Sequence, residues 1–229
     1  MPFKTILFDL DGTLVDTVED VHFCINQARA EMGLPPLPLE KARESIGPGP
    51  NKFVEIVLPP DRQREIDAFI QKFRRCYIDH LSDHSRPFPG IIDLLTELQK
   101  RGFVLAVATN KPRRYTEKLL QVLGLAGYFP HIFTPDEVAS RKPDPDIILK
   151  ALQVTETSSG EALLVGDTDN DILAGKAAGV QTCGVTYGYG SKEIFQQLKP
   201  DFLIDRPEEL LPLVGLPLIR AEREQAEIR

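Results

Sequence analysis

Apolar residues in this chain gather into short unbroken runs, separated by longer stretches in which they recur every three or four positions. The runs at 5–8, 104–108, 131–134, 162–165, 182–185 and 202–204 are rich in Val, Ile, Leu and Phe, and predict buried strands. Between them the periodic segments 90–101, 112–123, 144–153 and 169–178 predict helices. The last opens Asp169-Asn170-Asp171 and closes Ala177-Ala178-Gly179, with carboxylates at its start and glycine just past its end, as helix termini prefer. Strands alternating with helices predict an α/β fold, a Rossmann-like parallel sheet built from βαβ units.

The alternation is interrupted once. Between the first predicted strand and the second lie residues 9–103, whereas one crossover needs only about 30 residues. From 17 to 84 the pattern is wholly helical, with segments at 18–32, a shorter pair within 39–58, and a long one at 61–81. This predicts a core domain formed by 1–16 and 85–229, with a helical domain of residues 17–84 inserted after the first strand. The turn-rich stretch Asp83-His84-Ser85-Arg86-Pro87-Phe88-Pro89-Gly90 reads as the returning linker. Asp16-Thr17 reads as the N-cap of the first inserted helix.

The candidate chemistry sits at predicted strand ends, where open α/β sheets bind their ligands. The first strand ends in Asp9-Leu10-Asp11. Two carboxylates that close repel each other and bind cations or protons more strongly than one alone. The second ends in Thr109-Asn110-Lys111, and the fourth in Gly166-Asp167, with Asp171 one helical turn further. Arg141-Lys142-Pro143 offers a lysine in a proline-stiffened loop just before a helix. Each piece alone has an ordinary reading, as turn, cap or solvated surface. Together they point to a divalent cation held beside an anionic reactant, and hence to phosphoryl transfer.

These four segments resemble the motifs of the haloacid dehalogenase superfamily: Asp9-Leu10-Asp11-Gly12-Thr13 the first, Thr109-Asn110 the second, Lys142-Pro143 the third, Gly166-Asp167-Thr168-Asp169-Asn170-Asp171 the fourth. The insert at 17–84 is similar to the α-helical cap of the first subclass. Thr109-Asn110-Lys111-Pro112 and Gly184-Val185-Thr186-Tyr187-Gly188-Tyr189-Gly190 resemble the phosphoglycolate phosphatase branch. The resemblance implies a Mg²⁺-dependent phosphatase acting on a small phosphorylated metabolite, most readily 2-phosphoglycolate. It implies Asp9 as nucleophile and Asp11 as general acid and base. The metal would be held by the Asp9 and Asp167 carboxylates and the Asp11 carbonyl, with Asp171 behind them. Lys142, Thr109, Asn110 and the Leu10 and Asp11 amides would hold the phosphoryl oxygens. Substrate choice would fall to the cap loop Ile46-Gly47-Pro48-Gly49, flanked by Arg43 and Lys52, while His22 reads as a helix-surface residue. A β-phosphoglucomutase-like mutase, a pyrophosphatase or a sugar-phosphate phosphatase would share most of these motifs, and a non-catalytic binding module would have lost one.

Composition narrows the partners. The 229 residues are 42% hydrophobic and carry a net charge of −7, which argues against nucleic acid and leaves an anionic substrate to be met by local cations. The apolar run 210–219 is broken by Pro212, Gly215 and Pro217 and is too short for a membrane span. Cys24, Cys76 and Cys183 lack any CxxC spacing and read as reduced thiols. With the first strand so near the start, they suggest a cytoplasmic protein without a signal peptide, as monomer or homodimer.

Overall fold

A computed structural model describes residues 3–47 and 50–218. In chain order its strands are β1 (Thr5–Phe8), β2 (Val15–Asp16), β3 (Arg86–Pro87), β4 (Val104–Ala108), β5 (His131–Phe133), β6 (Ala162–Gly166), β7 (Gln181–Val185) and β8 (Phe202–Ile204). Six of them form one parallel sheet in the order β5-β4-β1-β6-β7-β8. β1 lies between β4 and β6, with Phe8 opposite Val107 on one side and Val165 on the other. The chain builds the sheet outward from β1 in one direction, then returns to build from β6 in the other. The switch point therefore falls between β1 and β6, where doubly wound sheets open a binding crevice.

The sheet is buried on both faces, as all-parallel sheets require. On one face Leu7, Ala106 and Leu164 pack with Ile147, Ile148, Ala151 and Ala174. These come from helices that follow the insert's α1 (Val18–Glu31), α2 (Leu39–Glu44), α3 (Pro50–Val57) and α4 (Ile66–His80): α5 (Ile91–Lys100), α6 (Arg113–Val122), α7 (Asp146–Val154), α8 (Asp169–Ala178), α9 (Lys192–Leu198) and α10 (Leu210–Leu213). On the other face Ile6, Phe8, Leu105, Val107, Leu163 and Val165 pack with Leu94, Leu95 and Leu98 of α5 and Leu119 and Leu120 of α6. Alternate strand residues thus serve opposite faces.

Helices α1–α4 lie between β2 and β3, which pair antiparallel, Val15 with Pro87 and Asp16 with Arg86. Both linkers thus run together as one two-stranded ribbon. The expected helix at 61–81 divides into a 3-10 segment, Pro60–Glu65, and α4. Nothing in Pro60–Glu65 is buried, so no apolar face holds it as α-helix until Ile66. Thr17 precedes α1 without capping it, because its hydroxyl donates to Asp11 instead.

The reduced-thiol expectation fails for two cysteines. Cys24 of α1 and Cys76 of α4 are joined as a disulfide, with Cα atoms 5.5 Å apart. Their 52-residue separation left no local signal, and only the packing of α1 on α4 brings them together. Cys183 is free and buried, and burial pushes its thiol up to about 12. Leu210, Leu211, Val214 and Leu216 of the C-terminal apolar run are core residues, and among the described residues no helix is long and apolar enough to cross a membrane.

Candidate active site

The sheet register brings three strand ends level. Asp9 continues β1, its N–H donating to the Val165 carbonyl at 2.9 Å, and its side chain is buried. Beyond β6, Asp167 is wholly buried. Its Oδ1 accepts from the Thr13 hydroxyl at 2.9 Å, and its Oδ2 from the Tyr189 N–H at 2.8 Å. The chain needs glycine beside it. Gly12 has φ +82°, and a side chain there would run into the Asp167 carboxylate, as would one at Gly188. Carboxylate oxygens of Asp9, Asp167 and Asp171 lie within 4.8 Å of one another.

One cation answers these acids. Lys142, 1% exposed, donates to Asp9 Oδ1 at 2.8 Å, to the Ala108 carbonyl at 2.8 Å and to Asp171 Oδ1 at 2.5 Å. Asn110 holds its backbone on both sides, donating to the Lys142 carbonyl and accepting from the Lys142 N–H, each at 2.9 Å. The other Asp171 oxygen accepts from the Thr168 N–H and hydroxyl, a capping box that fixes α8 to the site. Burial pushes the Asp9 carboxyl up to about 6, with Asp171 and Asp11 adding to the rise and Lys142 opposing it. Burial, Asp171 and Asp9 hold the Asp167 carboxyl well above the ordinary carboxylate range. Burial alone would lower the Lys142 ammonium, but Asp171 and Asp9 outweigh it and raise it. Three buried carboxylates against one ammonium form an acidic, all-oxygen cluster short of positive charge. That is the donor chemistry a hard divalent cation requires.

Asp11 leads to Lys111, which the motifs contain without a role, and to Tyr77, which they pass over. Lys111, buried behind Thr109, donates to both Asp11 oxygens at 2.9 Å and to the Tyr77 hydroxyl at 2.7 Å. Tyr77 belongs to α4, so this one ammonium ties the insert to the strand end that carries Asp11. The Thr17 hydroxyl completes the clamp on Asp11 at 2.8 Å. Tyr189 accepts from the Thr17 N–H and donates to Asp16, pinning the ribbon. In the sequence Lys111 had one marker only, its place directly after Thr109-Asn110. Tyr77 had none.

A family model described as haloacid dehalogenase-like hydrolase matches residues 6–185, which include every one of these groups except Gly188 and Tyr189. The chain belongs to that family. Among haloacid dehalogenase-like relatives, the phosphoglycolate phosphatase of Aquifex aeolicus is 37% identical, over 92% of this chain and 96% of its own length. The N-acetylmuramic acid 6-phosphate phosphatase of Pseudomonas aeruginosa is 34% identical, over 95% and 97%. A crystal structure from Haemophilus somnus, described as a predicted phosphoglycolate phosphatase, superposes with a TM-score of 0.86 at 29% identity, covering 94% of this chain and 99% of that one.

In this haloacid dehalogenase-like hydrolase the insert rests on the site. Ile46 and Gly47 face it, and Asn170 of α8 donates to the Gly47 carbonyl. Pro48 and Gly49, expected beside them, lie outside the described residues. Between insert and sheet lies a cavity of about 620 Å³ that reaches Asp9, Asp11, Thr109, Asn110, Lys142 and Asp171. The flanking cations are not those expected. Arg43 stacks over Tyr189 and Lys52 does not line the cavity, whereas Arg74, Lys111, Arg114 and Arg141 do. His22 is half-buried, its ring bonded to the Leu37 carbonyl and to Asn26, so it braces the loop after α1.

Proposed function

We propose that this hydrolase is a Mg²⁺-dependent phosphatase that cleaves a small phosphomonoester, 2-phosphoglycolate first among candidates, through an aspartyl-phosphate on Asp9. The observation that carries this reading is the meeting of Asp9 and Asp167, at the ends of β1 and β6, with Asp171 of α8 and the buried Lys142, where Asp9, Asp11, Asp171 and Lys142 line the cavity. Residues 17–84 act as the cap over a core of 1–16 and 85–229. The relatives named for phosphoglycolate support the substrate, at 37% identity for one from Aquifex aeolicus.

The roles follow from the atoms. Asp9 attacks phosphorus directly, since an ionised carboxylate needs no base to act as nucleophile. The Asp9 and Asp167 carboxylates and the Asp11 carbonyl would hold Mg²⁺, with Asp171 beside them. Bound there, the ion supplies Lewis-acid neutralisation of phosphate charge. The Leu10 and Asp11 amides, which have no acceptor among the described residues, and Lys142 stabilise the phosphoryl oxygens. Thr109 stands beside them. Asn110 keeps Lys142 in place through its backbone. Asp11 protonates the leaving oxygen and then takes a proton from the attacking water, with Lys111 and Thr17 holding its carboxylate in line.

The test is a panel of phosphate esters assayed with Mg²⁺. We expect kcat/KM for 2-phosphoglycolate to exceed that for glucose 6-phosphate by about tenfold or more, about 1.4 kcal/mol of transition-state discrimination. A neutral hexose phosphate at the top of the panel would remove the substrate and leave the mechanism. Undiminished turnover in excess chelator would remove the cation.

Lys111→Met adds a second test. Without its grip on Asp11, alkyl phosphates, whose leaving oxygen needs a proton, should lose about 10²-fold in kcat. Aryl phosphates, whose phenolate leaves more easily, should lose about tenfold less than that. Equal losses on both would show that Lys111 does not act through Asp11.

A further inference from the structure

The cavity is larger than a two-carbon phosphate ester requires. Its volume of about 620 Å³ lies within the range, about 300–1,000 Å³, of pockets that enclose drug-sized ligands. It is present although the insert is already seated on the core, through Tyr77 on Lys111 and Gly47 on Asn170. Beyond Lys111, the wall away from Asp9 is apolar, formed by Phe53, Ile70, Phe73 and Tyr115. A molecule as small as 2-phosphoglycolate would occupy only the inner end.

The outer end has its own polar chemistry. Arg74 and Arg114 line it, and neither meets a carboxylate or carbonyl among the described residues. Arg113 next door is fully engaged, bonded to Glu117, Glu137 and the Ile132 carbonyl. In a chain of net charge −7, with carboxylates abundant, two unpaired guanidiniums on one cavity wall are a local cationic patch. Between them stands Tyr115. It is 4% exposed, its ring lies under Arg114 at 4.5 Å and edge-on to Tyr77 at 5.2 Å, and its hydroxyl has no hydrogen-bond partner among the described residues. The hydroxyl is enclosed, so what Tyr115 offers the site is its ring, which seats the Arg114 guanidinium.

We infer that Arg74, Arg114 and Tyr115 form an outer subsite for the far end of a longer substrate: a phosphorylated acid whose carboxylate is separated from the phosphate by a ring-sized body with an apolar face. This rests on the phosphatase reading and extends the substrate class. The phosphate meets Asp9 and Lys142, the apolar face lies on Phe73 and Phe53, and the carboxylate meets the two guanidiniums.

The experiment compares N-acetylmuramic acid 6-phosphate with N-acetylglucosamine 6-phosphate, which has the same ring and phosphate but no carboxylate. 2-Phosphoglycolate and p-nitrophenyl phosphate serve as references. The expected result is a kcat/KM for the acid about tenfold or more above that of its carboxylate-free counterpart, since a hydrogen-bonded charge contributes about that much. Arg74→Gln and Arg114→Gln should each reduce that ratio several-fold, mainly through KM. Tyr115→Phe, which keeps the ring under Arg114 and deletes only the enclosed hydroxyl, should leave the ratio unchanged. Acid and carboxylate-free ester turned over alike, or arginine variants that lower both equally, would overturn the subsite while hydrolysis of the reference esters keeps the phosphatase reading. No Mg²⁺-dependent hydrolysis of any of the four would overturn both.

Discussion

Asp9→Asn is expected to lower turnover by about 10⁴-fold or more and to leave no phosphoprotein in a rapid-quench experiment with labelled substrate. An amide does not attack phosphorus, and its oxygen binds a hard cation poorly. The fold should survive, because Asn keeps an oxygen for Lys142 and the same volume in a buried position. Stability should change with pH in a stated sense. Burial raises the Asp9 carboxyl to about 6, so wild-type protein without metal loses stability as pH rises from the ordinary carboxylate range through about 6. The Asn variant lacks that loss. In chelator it should therefore melt higher than wild type at pH 8, and the difference should vanish near pH 4. Phosphoprotein on the variant would mean that another residue is the nucleophile.

The parts of this site that the sequence displays are those held by backbone. Asp9, Thr109 and Asp167 follow apolar runs whose period and bounds mark strands, and a parallel sheet in this order places such ends together whatever the side chains. Lys142 was visible from Pro143, which marks an ordered loop. The glycines around Asp167 are equally readable, because close backbone approach leaves no alternative at Gly12. The chain's two halves of the Asp11 clamp were of unequal clarity. Lys111 stood beside a motif, but Tyr77 lies in an amphipathic helix where an aromatic normally means core, and only the seating of the insert turns its hydroxyl into a partner.

The same limit explains the other differences. β2 and β3 have two residues each, too few for any periodicity, and they exist because the entering and returning linkers lie side by side. The Cys24–Cys76 pair required knowing that α1 packs on α4. The cavity's cations are hidden in the sequence for a related reason. Arg43 and Lys52 are near the cap loop in sequence, while Arg74 and Arg114 reach the cavity from α4 and α6, which no local pattern connects.

Lys142→Met should destabilise the protein and disable it together, and the two losses should separate when metal is added. The ammonium is buried between Asp9 and Asp171, and removing one partner of a buried ion pair costs about 3–5 kcal/mol, because the remaining charges have no water to turn to. The Met side chain fills the space, so the loss reads charge and not cavity. Below their raised range the Asp9 and Asp167 carboxyls take up protons and need no partner. The melting difference from wild type should therefore be smaller near pH 5 than at pH 8, by the part that Asp9 and Asp167 contribute. Mg²⁺ should recover part of the melting temperature, since it binds the folded carboxylates and not the unfolded chain. Turnover should stay about 10²–10³-fold down even in saturating metal, because the transferring phosphoryl group has lost a positioned cation. A melting difference independent of pH would show that Lys142 stabilises by packing alone. Full recovery of turnover with Mg²⁺ would show that the ammonium serves only to hold Asp9 and Asp171 in place until the metal arrives.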